Sequence, residues 1–156
     1  MFDAQELRRI MGKFATGVTI ITTRDENGNH YGLTANAVAS ISLDPPLVLI
    51  SIDRSAETFP HFLASKVFAI NILTDAQEDP STRFAKSGGD KFGGLAYHTN
   101  EAGVAILDGS LAHLECHIVQ THEAGDHVIH LGEVDHAEAR DAAPLLFFQG
   151  RYGKLA

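Results

Sequence analysis

Apolar residues recur at helical spacing over the first fourteen positions, where Phe2, Leu7, Ile10, Met11 and Phe14 share one side of a 3.6-residue period. Asp3 followed by Glu6 has the form of a capping box, so a helix is expected from about Ala4 to Lys13, bracketed at its end by Gly12 and Gly17. The pattern then changes. Val18 to Thr23 has the β-branched content of a buried strand, and Asp25 to Asn29, with Asn27-Gly28 at its centre, reads as a hairpin turn before a second strand near His30. After a polar break at Gly32-Leu33-Thr34-Ala35-Asn36 come two more β-compatible runs, Val38 to Leu43 and Leu47 to Asp53. Asp44-Pro45-Pro46 between them predicts an irregular connection, because proline donates nothing to a sheet ladder.

Thr58 can cap a short helix with Pro60 in its first turn, running to about Ser65. Val67 to Leu73 is the next strand, and Asp75 caps a second helical piece that carries Arg83, Phe84 and Ala85 and ends in the Ser87-Gly88-Gly89-Asp90 loop. From Ser110 onward strands dominate: Leu111 to Thr121, a turn at Glu123 to Asp126, His127 to Ala137, and Leu145 to Gln149. Short strands with tight turns and few helices predict a mainly β fold, an antiparallel barrel rather than alternating β-α units. No repeat, linker or low-complexity segment divides the chain, so residues 1–156 are expected to form one domain.

Composition narrows the function classes. Twelve Lys and Arg against twenty Asp and Glu give a net charge of −8, with no basic stripe, which argues against a nucleic-acid partner. No apolar run approaches the roughly 20 residues a bilayer span needs, and no basic and apolar leader opens the chain. With Cys116 as the single cysteine there is no internal disulfide, so a cytoplasmic setting is expected. The absence of G-x-G-x-x-G disfavours a Rossmann nucleotide site. Nine histidines raise the question of metal. His113, Glu115 and His117 would share one strand face, but ligands along one flat strand diverge, and a solvated face is the better reading; no metal is expected, and Cys116 on the other face reads as a small core residue.

Ser51, Asp53, Ser55 and Thr58 lie where a strand ends and a helix begins. Free N–H groups and hydroxyls there suit a phosphate, although plain capping would use the same residues. On residue chemistry alone, Thr34-Ala35-Asn36 is a turn, Arg83 a solvated cation and Phe84 a core ring.

Longer motifs change that balance. Gly32-Leu33-Thr34-Ala35-Asn36 followed by Ser40-Ile41-Ser42-Leu43-Asp44-Pro45-Pro46-Leu47-Val48 resembles the G-[LM]-T-[AV]-N and S-x-[ST]-x-x-P-P-L-[VIL] segments of the flavin reductase family of FMN-binding split barrels. The resemblance runs from Met11 to Tyr152. It implies a six-stranded antiparallel Greek-key split barrel, a homodimer, FMN or FAD as flavin, and NADH or NADPH as hydride donor. It also implies flavin contacts from Thr34, Ala35, Asn36 and Ser40, from Arg83-Phe84 and Lys91, and from Tyr152 in Gly150-Arg151-Tyr152. His127 of Gly125-Asp126-His127 would face the nicotinamide nucleotide. The implied activity is an NAD(P)H-dependent flavin reductase that hands reduced flavin to a partner monooxygenase. The alternatives are an FMN-binding electron-transfer protein and an FMN-dependent oxidoreductase acting on another substrate. Hydride passes directly between the two cofactors, so no acid-base triad is required. The chain departs from the family at Gly103 to Ser110, which lacks a usual proline and would border the acceptor side of the pocket.

Overall fold

The computed structural model describes residues 1–156. Its strands are β1 (Thr16–Gly17), β2 (Thr19–Arg24), β3 (His30–Ala35), β4 (Val38–Leu43), β5 (Pro46–Asp53), β6 (Val67–Ile72), β7 (Tyr97–Thr99), β8 (Ala105–Leu107), β9 (Ala112–Ala124), β10 (His127–Ala139), β11 (Leu146–Phe148) and β12 (Arg151–Gly153). Three α-helices, α1 (Ala4–Met11), α2 (Phe59–Ser65) and α3 (Glu78–Phe84), and a 3-10 turn at Asp75–Gln77 complete it.

The main sheet has the order β3-β2-β6-β9-β10-β5-β4, antiparallel throughout. Its two ends, β3 and β4, are consecutive in the chain and separated only by Asn36-Ala37. They act as one strand bent at that point, which makes the sheet the six-stranded split barrel expected from the motifs. The break predicted at Gly32 to Asn36 is therefore confined to Asn36-Ala37, since Gly32 to Ala35 pair with Thr22 to Thr19 in the ladder. Asp44 and Pro45 close a tight turn between the paired residues Leu43 and Pro46; the irregularity expected there is present as a cis Asp44-Pro45 peptide and a register shift between Ser40 and Ser42.

Alternation puts Ile21, Ile50, Ile52, Phe68 and Ile70 inside, where they pack with Phe62 of α2. The outside of β2 and β6 is also covered, by α3 and by the β7-β8 hairpin, which is why every residue from Thr19 to Thr23 is buried. Asn71 sits fully buried in that second layer. Its Nδ2 donates to the Ile20 carbonyl (2.9 Å) and to Thr22 Oγ1 (3.2 Å), and its Oδ1 accepts from the Leu107 N–H (2.9 Å). One side chain thus joins β2, β6 and β8.

Local signals differ from expectation in three places. Asp3 does cap α1 by accepting from the Gln5 N–H, but Glu6 turns to a two-pronged ion pair with Arg9 instead of closing a box. The capping box lies at Thr74 and Gln77, one residue before the expected Asp75. Val104 to Leu107, in the proline-free segment, are buried against the barrel wall, Ala105–Leu107 forming β8, and they line neither of the two clefts beside β3.

His130 points inward from β10 and is fully buried, its ring stacked on Phe62 and its Nδ1 bonded to Thr121 Oγ1 at 2.9 Å. Desolvation lowers its pKa from the ordinary 6.5. A base depressed in the folded state makes the unfolded chain take up the proton first. Stability is expected to fall as pH drops below about 6.5, down to the lower folded value. Thermal midpoints at pH 7.5 and 5.5 check this: the wild-type difference should shrink in His130→Leu, and an unchanged difference would assign the pH effect elsewhere.

Candidate functional site

β3 carries the residues that the first motif singled out, but their side chains are already engaged. Thr34 Oγ1 donates to the Ser81 carbonyl of α3 at 2.6 Å, and the Ala35 carbonyl accepts from Thr19 Oγ1 at 2.6 Å. Ser81 is buried, and its Oγ shares a 2.6 Å hydrogen bond with the Tyr152 hydroxyl, so α3 is tied to β3 through Thr34 and to β12 through Tyr152. Phe84 is 1% exposed and packs edge-on against Phe92, with its ring against the space above Gly32, so it backs the wall of β3. Arg83 donates to the carbonyls of Gly93 (2.9 Å) and Lys91 (3.4 Å), which ties down the loop after α3.

That loop closes one side of a cleft of about 300 Å³ between His30-Tyr31-Gly32 and Gly88 to Phe92, with Glu57 and Thr58 as its floor. Two buried polar atoms of the cleft residues have no hydrogen-bond partner, His30 Nδ1 and Thr58 Oγ1. The expected capping role of Thr58 is absent: its hydroxyl makes no cap bond to α2, and the helix has only seven residues. Lys91, its side chain only 10% exposed, places Nζ 3.0 Å from Glu57 Oε1, and the same carboxylate accepts the Gly88 N–H at 2.9 Å. The Gly88 N–H first, then Lys91, hold the Glu57 carboxyl below its usual range. An ammonium and a backbone N–H therefore already receive an anion here, beside two polar atoms that lack partners.

At the far end of β3 a second, mostly apolar cleft of about 640 Å³ is lined by Asn36 to Ser40, Val48 and Leu49, with Met11 and Phe14 on its rim. Asn36 Nδ2 donates to Thr16 Oγ1 (3.2 Å), and Ser40 is exposed on β4. Gly32 and Asn36 are roughly 14 Å apart along the strand.

The structure also joins two motifs that are far apart in sequence. His127 is the ladder partner of Asp53, and the Arg54 N–H donates to the Asp126 carbonyl. Asp53 accepts from the Ser55 N–H and Oγ, both at 2.8 Å; those bonds, with a smaller contribution from His127, lower its pKa. His127 Nδ1 lies 2.7 Å from Asp126 Oδ1, leaving the ring half exposed. Ser51 is half buried two residues upstream, its N–H bonded to the Ala37 carbonyl. Reasoning from sequence missed His30, Glu57 and Gly88; the only local signal was the glycine pair at Gly88-Gly89, both with positive φ.

Comparison with known proteins supplies the context. The chain is 40% identical over 154 residues to the NADH-dependent FMN reductase SmoA of Agrobacterium fabrum, covering 99% of this chain and 87% of that one. It is 40% identical over 158 residues to an NADH-dependent flavin reductase of a Rhodococcus species, covering 96% and 85%. Among solved structures, the NADH:FAD oxidoreductase SgcE6 of Streptomyces globisporus, in complex with NAD and FAD fragments, superposes with a TM-score of 0.93 at 38% identity over 99% of this chain and 93% of that one. The flavin reductase PheA2 superposes at 0.90 and 40% identity, covering 99% of both chains. With residues 11–156 matching the family model as well, the chain belongs to the flavin reductase like domain family.

Proposed function

We propose that this single-domain chain is an NADH-dependent flavin reductase that passes reduced flavin to a partner monooxygenase. The observation that carries it is the anion-receiving pair of Lys91 and the Gly88 N–H, set beside the unpaired Thr58 Oγ1 and His30 Nδ1. A flavin phosphate would displace Glu57 from that pair and give both orphan atoms a partner. The apolar cleft along Asn36 to Ser40 suits the ring system, and β3, running between the two clefts, suits an elongated ligand. Ser51, Asp53 and Ser55 would contact the ribityl and phosphate side, with Thr34, Ala35 and Asn36 along the ring.

A bound flavin supplies the hydride acceptor. The chain's own residues position. The Thr34-Ser81-Tyr152 chain of hydrogen bonds holds β3 rigid, Arg83 fixes the loop that presents Lys91, and His127, steadied by Asp126, offers its exposed ring to the nicotinamide nucleotide. NADH is preferred to NADPH in this reading because the relatives are named for NADH. The homodimer implied by the motifs has support in the N-terminal segment, where Leu7, Ile10 and Met11 of α1 and the flanking Phe2 and Phe14 are all exposed and need a covering surface. A cytoplasmic setting agrees with the free, buried Cys116, whose thiol burial pushes up to about 12; no helix is long and apolar enough to cross a membrane.

Anaerobic stopped-flow mixing of the flavin-loaded protein with NADH, followed at the oxidised-flavin band, tests the reading. Rapid bleaching and turnover of added free flavin are expected. Lys91→Ala should weaken flavin binding by about 10- to 100-fold, the worth of one charge-assisted bond of about 1.5–3 kcal/mol. His127→Ala should instead raise the NADH requirement with little change in flavin affinity. Tight flavin binding without bleaching by NADH would leave the electron-transfer reading in place.

A further inference from the structure

The long β9-β10 hairpin carries a cluster that no flavin step uses. Leu114 and Cys116 face the barrel core, so His113, Glu115 and His117 face outward, as strand alternation requires. The sequence offered these three as ligands and their divergence argued against a site. The ladder changes the set. Between Val134 and His136 the register shifts: Cys116 pairs with Val134, but Glu115 pairs with His136, and Asp135 is the extra residue. This bulge turns His136, which simple alternation from Val134 would send inward, onto the outer face. Two rungs then form a square, with Glu115 opposite His136 and His113 opposite Glu138. His117 leaves the set and pairs with Asp135 at 2.9 Å.

The ligand atoms of His113, Glu115 and His136 lie within 4.8 Å of one another. The site is built rather than incidental to the surface. The His113 and Glu115 side chains are 12% and 19% exposed, and His113 Nε2 is 3.3 Å from Glu115 Oε1. Asn100, from the turn of the β7-β8 hairpin, donates to Glu115 Oε2 at 2.9 Å and is itself fixed by the Val104 N–H at 2.9 Å. That hairpin walls the adjoining cavity of about 650 Å³, which gives an ion and its water access from one side. Two strands, β6 and β2, lie between β9 and β3 in the sheet, and the cluster faces away from the barrel interior.

We propose that His113, Glu115 and His136 bind a divalent transition-metal ion of the zinc class, with solvent in the remaining position. Two imidazole nitrogens and one carboxylate are the borderline donors such ions prefer, whereas calcium and magnesium select oxygen alone. Bonds of about 2.0–2.2 Å require the three donors to close by on the order of 1 Å, and the half-exposed His136 ring supplies most of that freedom. Glu138, 3.1 Å from His136 Nε2, is the outer carboxylate that orients the imidazole or exchanges into the open position. The ion would lock the bulge and tie β9 to β10.

The test is zinc chloride titrated into the purified, chelator-stripped protein against a chromophoric zinc indicator, with thermal midpoints in parallel. One zinc per chain and a raised midpoint are expected for the wild type. His136→Ala, at an exposed side chain that folding does not depend on, should weaken binding by roughly 100-fold or more and abolish the midpoint shift, since even an outer-shell change costs about 10- to 100-fold. Glu115→Gln should weaken it too, and His117→Ala should leave it unchanged. Absence of saturable zinc binding in the wild type, or equal affinity in His136→Ala, overturns the site. Equal losses in His117→Ala and His136→Ala would mean diffuse surface histidine binding and overturn it as well. None of these readouts depends on flavin.

Discussion

Phe68→Ala is expected to lower the unfolding free energy by about 3–5 kcal/mol, the usual cost of removing a buried aromatic ring that the surroundings cannot replace. Phe68 is 1% exposed in the barrel interior, and its ring lies over Gly132 of β10. A Cβ at Gly132 would meet Phe68 Cε1 at 2.8 Å and Cys116 Cβ at 3.1 Å, with Phe68 Cζ closer still, so Gly132→Ala is destabilising by overpacking, by roughly 1–3 kcal/mol. The two substitutions share one space. Their double variant should be more stable than the sum of the singles predicts, by a measurable coupling energy. Urea denaturation of the four proteins gives the cycle; strict additivity would mean that the ring and the glycine do not occupy one packing unit.

Asn71→Ala should cost about 2–5 kcal/mol without touching either cleft. Removing its amide strands the buried Leu107 N–H and the Ile20 carbonyl, each a penalty of about 1–3 kcal/mol. Asn71→Leu should be no better, because an added apolar group leaves the same backbone atoms unpaired. Thermal or chemical denaturation checks this. A loss below about 1 kcal/mol would mean that water reaches the β2-β6-β8 contact and replaces the amide.

These two residues also show where sequence reading reached and where it stopped. Strands over 19–24 and 38–43 were legible because β-branched runs sat between turn residues, and α1 because its apolar spacing was regular. Asn71 was not legible as a hub, since one polar residue within Val67 to Leu73 looks the same whether it faces water or a second layer. That layer is built by the β7-β8 hairpin, whose three-residue strands carry too little periodicity to be seen. In the three-stranded sheet β1-β11-β12 the strand at Leu145 to Gln149 was legible as β11, but its two short partners were not.

The site was legible as motifs and not as a place. Ser55 stood out by type and position, and Thr34, Asn36 and His127 through the resemblance to the flavin reductases, but the pairing of His127 with Asp53 depends on register across β5 and β10. Thr58 read as a cap because Thr before Phe59-Pro60 normally is one; its hydroxyl is instead buried and unpaired. Arg83 and Phe84 matched a motif whose side chains the fold uses for support. His136 escaped notice because a bulge reverses parity, and no local residue pattern announces a single extra residue.

The bond from Tyr152 to Ser81 has a bearing on how the protein is made. Ser81 receives Thr34 on one side and Tyr152 on the other, and β12, which carries Tyr152, joins β1 through β11. During translation the cleft residues from His30 to Phe92 leave the ribosome well before Tyr152 does. Until Tyr152 emerges, α3 lacks its tie to β12. A variant lacking the Tyr152 hydroxyl, Tyr152→Phe, is expected to hold flavin more weakly than the wild type, as a fluorescence titration with FMN would show.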